Sequence, residues 1–145
     1  MIASRFLIRL AVGPLLIGAL ASCSAADFGV IPSSQNWTIF DGEQFAQVTI
    51  DKGGAMSQEA GGRVFSYGVT ATCSMPIPLS GNWSGTAVRI TSTGGACGAG
   101  YILTMTGTAN GAYGDGDSMS GTYRISYSGK LSGVDTGNWT GTLVH

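Results

Sequence analysis

From residue 36 onward apolar side chains recur at every second position. Over 62–73, Phe65, Tyr67, Val69, Ala71 and Cys73 alternate with Ser66, Gly68, Thr70 and Thr72, the period expected of a strand with one buried face. Over 118–127, Met119, Gly121, Tyr123, Ile125 and Tyr127 alternate with Ser118, Ser120, Thr122, Arg124 and Ser126. Further strands are predicted at 37–40, 44–51, 82–91, 101–108 and 138–144. Between them lie turn clusters: Asp51-Lys52-Gly53-Gly54, Pro76-Ile77-Pro78, Thr93-Gly94-Gly95, Asn110-Gly111, Asp115-Gly116 and Asp135-Thr136-Gly137. One short helical turn is predicted over 55–60, stopped by Gly61-Gly62. The connections are too short for crossover helices. The pattern therefore predicts one all-β domain, an antiparallel meander of about seven or eight strands closed into a small barrel or folded into a sandwich.

The first residues follow another rule. Arg5 and Arg9 precede an apolar run from Leu10 to Ala21, which is the build of a secretory signal segment and is shorter than the ~20 residues a bilayer span needs. The predicted organisation is a signal peptide over 1–22, a tether over 23–35 rich in small residues, and the β domain over 36–145. The run ends in Leu20-Ala21-Ser22-Cys23, which resembles the lipobox of bacterial lipoproteins. The resemblance implies cleavage before Cys23, a diacylglycerol thioether on its sulfur and acylation of its amine, so that the partner is a membrane reached through the lipid. Ser24, rather than an aspartate, after the cysteine implies the outer membrane. An ordinary secretory signal is the alternative, because Ala19-Leu20-Ala21 and Ser24-Ala25-Ala26 both satisfy the small-x-small cleavage rule.

Export changes the reading of the other two cysteines. Cys73 and Cys97 form an even pair in a chain bound for an oxidising compartment, and a disulfide between them is the expectation. A metal or redox pair is the alternative, but the sequence has no CxxC and a single histidine, His145.

Two heptads nearly coincide, Ser80-Gly81-Asn82-Trp83-Ser84-Gly85-Thr86 and Thr136-Gly137-Asn138-Trp139-Thr140-Gly141-Thr142, and the [Ser/Thr]-Gly-Thr triplet recurs at 106–108 and 120–122. The spacing is irregular, so these are hairpin strands of one sheet rather than a solenoid. Trp83 with Gly85, and Trp139 with Gly141, lie two apart on one face, where a glycine leaves room for a ring to cross the strand. On the functional reading Trp83, Trp139 and Tyr123 or Tyr127 stack on a sugar or line an apolar ligand pocket. Ser120-Gly121-Thr122-Tyr123 and Gly81-Asn82-Trp83 resemble strand segments of avidin-like and lipocalin-like barrels. The resemblance implies that architecture and transfers no binding residue. The sequons at Asn36, Asn82 and Asn138 are read as strand starts.

Composition narrows the chemistry. The net charge is −1 with 10% charged residues, so no basic face exists for nucleic acid. A Ser-His or Cys-His catalytic pair is not available with His145 as the sole histidine. Asp115-Gly116-Asp117 supplies calcium-type oxygens but lacks the rest of a calcium loop and reads as a hairpin tip. No phosphate loop is present. The expected protein is not an enzyme and has no cofactor and no metal. Its expected role is that of a membrane-anchored envelope lipoprotein with a structural or protein-interaction domain. Binding of a small ligand or glycan in a barrel is the alternative, and inhibition of an exported enzyme a further one. A transmembrane barrel is disfavoured because several strands fall short of ~9–11 residues.

Overall fold

The computed structural model describes residues 31–145. The expected leader over 1–22, Cys23 and most of the expected tether lie outside the described residues. Ten strands form: β1 Ser34–Phe40, β2 Phe45–Asp51, β3 Ala55–Gln58, β4 Phe65–Thr70, β5 Cys73–Ile77, β6 Ser80–Ser84, β7 Ala87–Ala96, β8 Ala99–Ala109, β9 Ser118–Gly129 and β10 Gly133–Leu143. Eight of them close into an antiparallel barrel in the order β1-β10-β9-β8-β7-β6-β3-β2, and β4 and β5 pair only with each other. Closure between β1 and β10, through Trp37↔Leu143 to Phe40↔Thr140, decides for the barrel over the sandwich.

Alternation sets what fills it. The inward series Trp37 and Ile39, Ala46, Val48 and Ile50, Val88 and Ile90, Leu103 and Met105, Met119 and Ile125, and Trp139 are all buried. An eight-stranded barrel has an interior just wide enough for side chains to fill. The outward series of β8, β9 and β10 is hydroxylic, with Thr106, Thr108, Ser120, Thr122, Thr140 and Thr142 exposed. An apolar interior with a hydroxylic exterior is the reverse of a transmembrane barrel.

The glycine triplets follow from the same geometry. Gly107 pairs with Gly121, and Gly121 with Trp139, so the indole crosses a strip without side chains. A Cβ on Gly107 would stand 2.7 Å from Cζ2 of Trp139, and one on Gly141 would stand 2.5 Å from Cγ of Met119. Gly85 departs from this pattern: it is a turn residue at φ +59, and its carbonyl accepts the Trp83 indole N–H at 2.8 Å.

Five local expectations are corrected. The helical turn over 55–60 is instead β3, whose Ala55–Gln58 backbone is engaged by both β2 and β6. Pro76 lies inside β5, in a two-stranded hairpin where its missing N–H disturbs no wider sheet. Gly94 and Gly95 belong to β7, and the turn falls at Cys97-Gly98, with Cys97 at φ 58. Asp135-Thr136-Gly137 belongs to β10, because Gly137 lets the Tyr123 ring lie across the strand. The run over 62–73 divides at Ala71-Thr72 into the two arms of the β4–β5 hairpin rather than forming one barrel strand.

The two barrel ends differ. Both described termini and the β2–β3, β6–β7 and β8–β9 connections lie at one end, the floor. The β1–β2, β7–β8 and β9–β10 turns and the long β3–β6 connection that carries β4 and β5 lie at the other.

Candidate functional site

The β4–β5 hairpin covers the end opposite the floor. Phe65, Met75 and Ile77 from the hairpin are buried in the common core, with Tyr67 and Val69 packed against it. Three glutamines hold its base. The Gln44 Oε1 accepts the Ser66 N–H at 2.8 Å, and the Gln47 Oε1 accepts the Arg63 N–H at 3.0 Å. Gln58 donates to the carbonyls of Gln47 and Arg63 at 2.6 and 2.8 Å, and accepts the Leu79 N–H at 3.2 Å. The tip is fastened covalently: Cys73 is bonded to Cys97 in the β7–β8 turn, with Cα atoms 6.5 Å apart. The expected disulfide is therefore a clasp between hairpin and barrel rim.

Beneath the hairpin lies an enclosed cavity of about 10 Å³ lined by Asp41, Phe65, Tyr67, Ile77, Leu103, Met105, Tyr123 and Ile125. At most one water fits a space of this size. Its polar groups converge from three elements. Asp41 closes the β1–β2 turn, where its Oδ1 accepts the N–H groups of Glu43 and Gln44 at 2.9 and 2.7 Å. Its Oδ2 meets the Tyr67 hydroxyl at 3.5 Å, longer than a good O–H···O bond. The Tyr67 ring stands edge to face against Tyr127, with centroids 5.7 Å apart. Burial raises the pKa values of Tyr67, Tyr123 and Tyr127 above the ordinary phenol value, and the nearby Asp41 carboxylate pushes in the same direction. For Tyr123 the second contribution after burial is Asp135. All three hydroxyls therefore stay protonated at neutral pH. A second buried pair, Ser92 and Tyr101, is satisfied internally at 2.9 Å.

The residues singled out from the sequence do not form one site. Tyr123 lines the cavity. Trp139 is 1% exposed in mid-barrel, where its indole donates to the Thr106 carbonyl at 3.2 Å. Trp83 lies toward the floor, edge-on to Trp37 at 5.3 Å and beside Tyr113 at 5.8 Å. Asp41, Phe65 and Tyr67 were not singled out. The signal for Asp41 is its parity, since Gln35, Trp37, Ile39 and Asp41 share one face of β1 and its extension. Asp117, read as a hairpin-tip acid, accepts the Asn110 side-chain N–H at 2.7 Å. Two larger depressions, of about 630 and 520 Å³, are open troughs on the hydroxylic outer face of β8–β10.

No protein-family model and no curated protein sequence matches the chain. Among solved structures it is similar to rhizavidin in its complex with biotin, at 20% identity and a TM-score of 0.50, covering 79% of this chain and 93% of that one. It is also similar to short afifavidin in its complex with biotin, at 24% identity and a TM-score of 0.49, covering 81% and 93%. The likeness to rhizavidin extends over nearly the whole of the described domain, and the fold is that of an avidin-like barrel.

Proposed function

We propose that this chain binds a small ligand inside the barrel, at the tyrosine-lined end, and that the ligand enters when the β4–β5 hairpin lifts. The observation that carries the reading is the covered mouth. Apolar walls from Leu103, Met105, Ile125 and Ile77 meet a few convergent polar groups, Asp41, Tyr67 and Tyr123, under a hairpin built outside the barrel sheet. This is the usual composition of a small-molecule site. Rhizavidin, which shares the fold, is seen with biotin. Ligand sites span ~300–1,000 Å³, far above the closed volume, so the hairpin and the Tyr67 side chain have to move for a ligand to enter. The three glutamine anchors at the base leave the Cys73 tip as the far end of a hinged arm.

The test is a panel of small neutral, anionic and cationic organic fragments, followed by NMR on the oxidised protein and after reduction of the Cys73–Cys97 bond. A binder should shift the methyl signals of Leu103, Met105 and Ile125, and more strongly after reduction. Shifts confined to the Thr106 and Thr122 face, or no binder in either state, would refute the interior site.

The same proposal places the barrel in the cell envelope. Cys23 carries the lipid, and the outer membrane is the destination its Ser24 neighbour implies. Chain direction supports a consistent orientation: β1 begins at the floor, where the Tyr113 hydroxyl donates to the Pro32 carbonyl at 3.1 Å. A lipid-anchored barrel would thus turn its hairpin-covered end away from the bilayer. Cys23→Ala should move the protein from the membrane to the soluble fraction, and retention of the variant in the membrane would refute the anchor.

A further inference from the structure

We infer that the ligand is a small organic cation, whose ammonium group sits against the Asp41 Oδ2 among the rings of Phe65, Tyr67 and Tyr123. This deepens the small-ligand reading and rests on it. Asp41 is nine-tenths buried. Its Oδ1 is consumed by two backbone N–H groups, whereas its Oδ2 has as its hydrogen bond the long contact with Tyr67, another residue lining the cavity. A buried carboxylate is costly unless an opposite charge or good donors face it. The eight residues lining the cavity include no lysine, arginine or histidine, so no side chain there supplies that charge.

The remaining walls suit a cation. Three of the lining side chains are aromatic, and Tyr127 backs the Tyr67 ring. Aromatic faces attract ammonium groups, and several rings around one carboxylate is how quaternary and alkylated ammonium groups are held. The acids that act on the tyrosines here are Asp41, Asp135 and Glu43, and the tyrosines themselves stay neutral. The local potential is therefore negative, and an anionic ligand would be repelled. The weakly held Tyr67 hydroxyl is the group a cation displaces at the Oδ2, and it moves with the hairpin that admits the ligand. The apolar body of the ligand then meets Leu103, Met105 and Ile125.

The test compares choline with 3,3-dimethylbutan-1-ol, two molecules of the same shape that differ in charge, by calorimetric titration of the reduced and oxidised protein. Choline should bind at least tenfold more tightly than the alcohol. Asp41→Asn, which keeps an oxygen for the Glu43 and Gln44 N–H groups, should remove that preference while leaving the melting profile intact. Equal binding of the two compounds, or a preference that survives Asp41→Asn, would overturn the cation assignment and leave the interior site standing. So would failure of both compounds when a neutral or anionic fragment shifts the Leu103 and Ile125 signals. If no fragment of any charge reaches those residues, the interior site itself falls.

Discussion

Replacing both Cys73 and Cys97 with serine tests the clasp directly. The bond joins residues 24 positions apart, and in the chain-entropy model a loop of that length contributes about 3 kcal/mol through the unfolded state. For a domain of this size 1 kcal/mol corresponds to roughly 4 °C in melting temperature, so the double variant should melt roughly 10–15 °C lower. The hairpin itself should stay down. Phe65, Met75 and Ile77 are at most 2% exposed, and burying three such side chains is worth about 5 kcal/mol or more, before the hydrogen bonds of Gln44, Gln47 and Gln58 are counted. The assay is thermal unfolding by near-ultraviolet circular dichroism, paired with hydrogen exchange resolved to the hairpin. Amides over 66–77 should exchange faster than in the parent while those of β8 and β9 keep their order of protection. A shift below about 3 °C would refute the loop-closure account. Hairpin amides as unprotected as a free peptide would refute the claim that packing and these hydrogen bonds hold it without the disulfide.

Other perturbations read the interior. Gly137→Ala places a Cβ 2.7 Å from Cε1 of Tyr123 and should destabilise by about 1–3 kcal/mol through overpacking, measured by urea unfolding; an unchanged midpoint would mean the ring yields freely. Trp139→Phe should cost about 1 kcal/mol more than Trp37→Phe, because the Trp139 indole N–H is hydrogen-bonded to Thr106 whereas that of Trp37 is buried without a partner; denaturant titration of both variants decides. Because Tyr67, Tyr123 and Tyr127 are held above their ordinary values by burial, folding favours their protonated form. That contribution is complete below ~pH 10, where unfolded tyrosine titrates, and is lost as pH rises further. Absorbance of phenolate should accordingly show a fraction of tyrosines that ionise only as the fold is lost, and a single ordinary transition for all of them would contradict the burial.

Much of the barrel was legible in the chain because one buried face imposes a period of two. Met119, Ile125 and Trp139 were placed by that rule, and the [Ser/Thr]-Gly-Thr triplets of β8, β9 and β10 resolve into hydroxyls outside and glycines inside. The same rule misled where a different structure produces the same alternation. A hairpin laid over a barrel mouth also buries every second residue, so Phe65 and Tyr67 read as part of a barrel strand. Gly94 and Gly137 read as turns because glycine is the commonest turn residue, yet each sits in a strand close to a tyrosine ring from a neighbouring strand, Tyr101 and Tyr123. Asp41 follows the last residue of β1, and local sequence does not report that it lines a cavity bounded by residues up to 84 positions away.

The sequence by itself determined the all-β character, the turn-rich meander and the cysteine pair, since these depend on local periodicity and on the number of thiols. It also carries the two arginines and apolar run of the first residues and the lipobox-like tetrapeptide ending at Cys23. The tertiary structure decided the rest. Barrel closure rests on the pairing of β1 with β10 across the length of the domain, and no single residue encodes that meeting of two edges. The cavity, its carboxylate and its aromatic rings come from β4, β5, β8 and β9 and from the β1–β2 turn. Only packing brings such distant groups within hydrogen-bonding reach, because their separation along the chain leaves no periodic trace.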